Sequence, residues 1–207
     1  QDDLLLPWLT VRESLQFSVR LRLPDTSEAH KSDAAAEALV DEALRLLRLE
    51  SVAESMVGGD HARGVPSGGV SGGERRRVAL GIELVARPSV LLLDECTSGL
   101  DAANALLITR ILQVYAKRGG ATIILTIHQP RQAIFESFDR LLLLAKGHLI
   151  YSDTPGRLSE KLRSVGLRGP PSGTNTADFL LDLAAGVAED NDEDITNYYS
   201  DDDDEDD

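Results

Sequence analysis

Val90-Leu91-Leu92-Leu93-Asp94-Glu95-Cys96-Thr97-Ser98-Gly99-Leu100-Asp101 is the stretch that decides the fold. Four apolar residues run without a polar break into two adjacent carboxylates and then into a small-residue turn. The pattern predicts a fully buried parallel strand that delivers its acids at its carboxyl end, where open α/β sheets bind ligands. Two neighbouring acids there can divide the labour: one orients a hydrated metal ion, and the other takes a proton from an attacking water. A strand ending in a solvated Asp-Glu turn has the same local spelling, so the flanking stretches decide between the two.

Upstream lies Val70 to Arg77, VSGGERRR, and downstream lies Ile123 to Arg131, IILTIHQPR. Ser71 and Glu74 stand three apart, a capping box for a helix whose apolar pattern runs through Val78, Ile82 and Val85 before Pro88 ends it. At such a helix start the backbone N–H groups of Gly72 and Gly73, the hydroxyl of Ser71 and the positive end of the helix dipole converge, which is a geometry that binds an anion. Glycine suits these positions because a side chain would block close approach of backbone to phosphate. An ordinary helix cap has the same Ser-Gly-Gly-Glu spelling. Arg75, Arg76 and Arg77 are expected as a solvated or interface-facing basic turn. After Asp101 a helix is predicted with Leu106, Leu107, Ile111 and Val114 on its buried side, ended by Gly119-Gly120. Residues 121–127 then predict a second buried strand, with His128 at its end, where a neutral imidazole could bond to a phosphate.

At 207 residues, 42% of them apolar, the chain is long enough for one domain with a sizeable core. The net charge of −14 misleads as an average. Residues 189–207 hold 12 of the 35 acids and no base, so the remainder carries 23 acids against 21 bases, a net of −2. A nearly neutral body carries no nucleic-acid footprint, which would need a basic face. Cys96 is the only cysteine, so no internal disulfide can form, and the two carboxylates beside it disfavour a catalytic thiolate. No run approaches the ~18 apolar residues of a membrane span, and the start QDDLLLPW has no signal-peptide pattern.

The rest of the chain supplies context. Thr10 and Glu13 form a second capping box, for a helix over about 11–19 that includes Leu15, Phe17 and Val19, and Pro24 closes it. From Asp33 to Leu49, Ala36, Leu39, Val40, Ala43, Leu44 and Leu47 make an amphipathic stripe. His30 and His61 are expected on the surface. Residues 57–70 are glycine-rich, but a phosphate-cradling G-x-x-x-x-G-K-[ST] loop needs a Gly-Lys pair, and the chain has none. His148 falls in a hairpin, a short helix is expected over about 155–165 and another over about 177–185, and the acid-rich end cannot fold alone.

Taken together, VSGGE, VLLLDE, SGLD and the histidine after LTI resemble the signature, Walker B, D-loop and switch histidine of the ATPase domain of ABC transporters. QDD, LTVRE, LQFS and LRLP near the start, and NTADF at 175–179 with Thr176 in place of proline, are similar to the G, or White, subfamily. The resemblance covers residues 1–185, with 186–207 as an acidic linker or tail. It implies a P-loop NTPase-like α/β core with a mostly parallel sheet and an α-helical signature subdomain. The Walker A loop would lie upstream of Gln1. It also implies ATP and Mg2+, a second nucleotide-binding domain as dimer partner, and a transmembrane domain outside this chain at the cytoplasmic face of a membrane. Glu95 would polarise the attacking water and His128 would contact the γ-phosphate. Asp94 and the Q-loop residue Gln1 would serve the metal. Ser71, Gly72, Gly73 and Glu74 would face ATP held by the partner, with Asp101 in the D-loop.

Two departures stand out: Pro66 to Val70 is an insertion before Ser71, and Cys96 stands where the family usually has proline. A soluble ABC ATPase of translation or chromosome maintenance shares the core motifs, but the LTVRE segment and NTADF favour the transporter. A truncated, non-catalytic interaction module is the third reading, since the 207 residues alone cannot cradle phosphates and are expected to show no ATPase activity.

Overall fold

Thr10 and Ser71 begin the two helices that organise the first half of the protein, and both do so through complete capping boxes, with Glu13 and Glu74 returning the bond to the cap amide. The computed structural model describes residues 5–58, 69–164, 169–170 and 173–189. The chain divides into two compact units, residues 1–128 and 129–207.

In the first unit, helix α1 spans Val11–Arg22, a single turn α2 spans Glu28–Lys31, and α3 spans Asp33–Leu47. Ser32 caps α3, and Arg48 ends it in the left-handed conformation. Helix α4, Gly72–Leu84, packs on both α1 and α3. The expected stripe of α3 is the buried one: Ala36, Val40, Ala43, Leu44 and Leu47 join Val11, Leu15, Val19 and Val78 in one core. Gly81 lets α4 approach closely, since a Cβ there would lie 2.5 Å from Leu47 Cδ1 and 2.9 Å from Leu15 Cδ2. Ser18, buried, donates its hydroxyl to the carbonyl of Ile82 at 2.8 Å, and Arg22 pairs with Glu83 beside it. Arg12 ties α1 to Glu37, Asp41 and Glu54.

Strand β1, Val90–Leu93, is followed by helix α5, Ala102–Gly119, and strand β2, Thr122–Leu125. The two strands pair in parallel, with Val90 opposite Thr122 and Leu93 opposite Leu125, so the unit is a βαβ crossover. The expectation that both strands are fully buried does not hold. Leu91 is buried, but Val90 is 58% exposed, Leu92 71% and Ile124 52%. Side chains alternate across a pleat, and the helices cover only one face of this two-stranded sheet. The buried side of α5 is also rotated from the expected one. Ala105, Ile108, Thr109, Ile111 and Leu112 face inward, Leu106 and Leu107 are half-buried, and Val114 is exposed. Both stripes have helical spacing, and the one that carries Ala105 and Thr109 permits closer packing.

In the second unit, α6 spans Gln132–Phe135, β3 Leu141–Ala145, β4 His148–Asp153, α7 Leu158–Ser164 and α8 Thr176–Glu189. Lys146 and Gly147 both take positive φ, 48° and 83°, the requirement of a two-residue hairpin turn between β3 and β4. The hairpin's Leu141, Leu143 and Tyr151 cover a small core of Phe135, Leu158, Leu162, Ala177 and Leu180. Asn175 starts α8 by accepting from the Ala177 amide at 2.9 Å, and its Nδ2 donates to the Pro130 carbonyl at 2.9 Å. Among the described residues no helix is long and apolar enough to cross a membrane.

Candidate functional site

Asp94 and Glu95 leave the end of β1 side by side and exposed, and Thr126, one residue beyond β2, holds both. The Thr126 hydroxyl donates to Asp94 Oδ1 at 2.6 Å and accepts from the Glu95 amide at 2.9 Å, while the Thr126 amide donates to the Leu93 carbonyl at 2.9 Å. The parallel register places Thr126 opposite Asp94, so one hydroxyl fixes the positions of two acids. Glu95 takes φ 45°, a left-handed conformation that a non-glycine residue adopts at some cost. Arg76, on the second turn of α4, holds this turn from the other side. Its Nη2 donates to the Glu95 carbonyl and its Nε to the Cys96 carbonyl, both at 3.0 Å. His128 is exposed two residues beyond Thr126, on the strand end adjoining that of the acids.

Cys96 is buried, and burial pushes its thiol up from the ordinary value, with the Arg76 charge pulling the other way. Burial, and not the expected effect of the neighbouring carboxylates, is what disfavours the thiolate, and Cys96 belongs to the core. A cleft of about 210 Å³ opens beside Asp94, bounded by Arg76, Glu83, Leu93 and Cys96. It is smaller than the ~300–1,000 Å³ of sites that enclose a small-molecule ligand. Among the described residues no group of three or more His, Cys, Asp or Glu side chains is placed to hold a metal. Asp94, an exposed carboxylate held through one oxygen by Thr126, is the type of ligand that a hard cation such as Mg2+ takes singly or in pairs beside waters and substrate phosphates.

At the start of α4, Ser71 and Gly72 are exposed. The amides of Gly72 and Gly73, first and second in the helix, have no partner within it. The Ser71 hydroxyl, expected to point at an anion with them, donates instead to Glu74 Oε2 at 2.7 Å. That bond, then one from the Ser71 amide, holds the Glu74 carboxyl below its usual range, with Arg77 adding to the effect. The two glycines differ. A Cβ on Gly72 would meet nothing within 4 Å, whereas one on Gly73 would lie 2.7 Å from Asn104 Cγ and Oδ1. Open space at Gly72 agrees with close approach of a ligand, while Gly73 is needed for packing. The expected solvated basic turn is corrected: Arg75 and Arg76 are half-buried, Arg76 being engaged by the Glu95 and Cys96 carbonyls, and Arg77 is buried, its Nη1 donating to Asn104 Oδ1 at 3.0 Å.

Asp101 caps α5, accepting from the amides of Ala103 and Asn104 at 2.9 and 3.0 Å and from Asn104 Nδ2 at 2.6 Å. The bonds from Asn104, backbone first, hold its carboxyl below the usual range. Both carboxyls, Glu74 and Asp101, are depressed in the fold, so their contribution is complete above the ordinary carboxylate range and is lost as pH falls through their folded values. A Glu74→Gln, Asp101→Asn double variant should therefore lose less of its Tm than wild type between about pH 5 and pH 3. Parallel declines in the two proteins would contradict this.

Gln1 and residues 66–68 of the insertion lie outside the described residues, as do His61 and the acidic end from residue 190. Thr126, Arg76 and Asn104 were missed by sequence reasoning. Thr126 had a signal, as the polar residue at the same distance into its strand as Asp94 is into β1. Asn104 had one as the third residue of a helix capped by Asp101.

A family model for ABC transporters matches residues 1–98. ABC transporter G family member 21 of Arabidopsis thaliana is 43% identical over 190 residues, 92% of this chain and 27% of that protein. The broad substrate specificity ATP-binding cassette transporter ABCG2 of Mus musculus is 44% identical over 186 residues, 90% of this chain and 27% of that protein. The chain thus spans about a quarter of the length of these relatives.

Proposed function

The chain belongs to the ABC transporter family, in its G subfamily, as nucleotide-binding-domain sequence, and from that premise we propose that it couples ATP hydrolysis to transport across a membrane. In this reading Asp94 and Gln1 hold the hydrated shell of Mg2+, which when bound neutralises phosphate charge. Glu95 takes the proton of the water that attacks the γ-phosphate in line. His128 bonds to the γ-phosphate from the adjoining strand end. Ser71, Gly72, Gly73 and Glu74 form the opposite wall, presented to ATP held by a second nucleotide-binding domain, and Asp101 orders the turn between the two walls. Phosphoryl transfer asks the protein chiefly for positioning and charge stabilisation.

The observation that carries the proposal is the Thr126 clamp: one hydroxyl within 2.9 Å of both the Asp94 carboxylate and the Glu95 amide, on a strand that leads to His128. A turn held on both sides, by Thr126 and by Arg76, is rigid enough to position an acid pair. The chain has no Gly-Lys pair, so the triphosphate cradle would come from other residues of the polypeptide, and the transmembrane domain likewise.

Ser71→Arg in the complete transporter tests the second wall. Ser71 is exposed, so the substitution costs the fold only the cap, about 1 kcal/mol, or roughly 2–4 °C of Tm. ATP hydrolysis should fall by about tenfold or more, because the side chain fills the space that an anion would use. Hydrolysis within twofold of wild type, with Tm lowered by no more than the loss of the cap, would sink the reading.

A further inference from the structure

We infer that Asn104 is a positioning residue that locks the Ser71–Gly73 turn to the turn ending in Asp101, so that these two parts of the proposed nucleotide site move as one body. The inference rests on the proposed function for its consequence, but its geometry stands alone. The Asn104 side chain has two ends with opposite hydrogen-bonding character. Its oxygen accepts from the Arg77 guanidinium at 3.0 Å, and its nitrogen donates to Asp101 Oδ2 at 2.6 Å. The amide dipole therefore lies between a cation of α4 and an anion of the Asp101 turn, aligned favourably with both. A flipped amide would set its NH2 against a guanidinium and its oxygen against a carboxylate.

Two further observations make this a lock rather than a chance contact. Arg77 is only 8% exposed and its Nε, also buried, has no hydrogen-bond partner, so the Asn104 oxygen is a principal compensation for burying this cation. On the other side Asn104 seats against Gly73 with no room for a methyl group. One residue thus touches the helix tip at Gly73, the second turn of that helix at Arg77, and the acid that caps the next helix. A shift of the tip on meeting a phosphate displaces Asn104, and with it Asp101.

Hydrogen exchange in the 207-residue chain tests the lock directly. Gly73→Ala should speed exchange at the Ala103 and Asn104 amides, which Asp101 caps, by about tenfold, and should add nothing further in an Asn104→Ala background. Arg77→Met, which replaces a buried cation by an apolar side chain of similar length, should speed the same amides by about as much, and serves if Gly73→Ala folds poorly. Unchanged exchange at Ala103 and Asn104 in the variants that fold would overturn the inference. In the complete transporter, Asn104→Leu should lower kcat for ATP about tenfold with KM within twofold. Asn104→Thr, whose hydroxyl can both accept and donate, should recover part of it. A kcat within twofold of wild type for Asn104→Leu would overturn the positioning role. Loss of the proposed function itself reads out separately, as a harmless Ser71→Arg.

Discussion

On the proposed function, Glu95→Gln in the complete protein should slow ATP turnover by about 10² to 10⁴-fold while ATP still binds, the loss expected on removing a general base. The substitution is close to isosteric, and the bonds that hold residue 95 are made by its backbone: the amide to Thr126 Oγ1 and the carbonyl from Arg76. Glutamine bears the same cost of a left-handed φ as glutamate, and the side chain is exposed, so no packing is lost. Asp94 keeps its bond from Thr126, so the metal role proposed for it is left undisturbed. Single-turnover hydrolysis and binding of a non-hydrolysable analogue separate the two effects. Turnover within threefold of wild type would remove Glu95 from the role of base.

The motifs of this site were legible in the chain because each is a local device. Ser71 and Glu74 spell a capping box whatever surrounds them, and the box is formed. Asp94 and Glu95 follow an apolar run, and the run is a parallel strand. What could not be read were properties set by a partner element. Burial of Val90 and Leu92 depends on what covers the second face of the sheet, and an apolar run alone cannot say which faces are covered. The phase of α5 was right at Ile111 and off elsewhere for a related reason: Leu106, Leu107, Ile111 and Val114 make as good a stripe as Ile108, Ile111 and Leu112, and only the approach of α4 and the sheet chooses. Arg77 looked like its neighbours Arg75 and Arg76 until Asn104, 27 residues away, gave it a buried partner. Gly73 looked like Gly72 for the same reason. One glycine faces open space and the other a side chain, a distinction that exists only after α4 and α5 meet.

Leu47→Ala should cost the first unit about 2–5 kcal/mol, read as a lowered urea midpoint at unchanged m. Leu47 is 0% exposed, on the last turn of α3, where α1, α3 and α4 converge, and truncation leaves a cavity that three packed helices cannot readily close. Where in that range the loss falls depends on Gly81, whose missing side chain is the space that Leu47 Cδ1 fills. In wild type, Gly81→Ala sets about 1 kcal/mol of helix propensity against a methyl group 2.5 Å from that carbon, so the gain is cancelled or reversed. In the Leu47→Ala background the obstruction is gone, and only Leu15 Cδ2, at 2.9 Å from the new methyl, must give way. Gly81→Ala should then stabilise, recovering up to about 1 kcal/mol and partly filling the cavity. The double-mutant cycle should show a coupling of about 0.5–3 kcal/mol in the compensating direction. Additivity within about 0.3 kcal/mol would mean that the close approach of α3 and α4 at Gly81 does not carry the packing assigned to it.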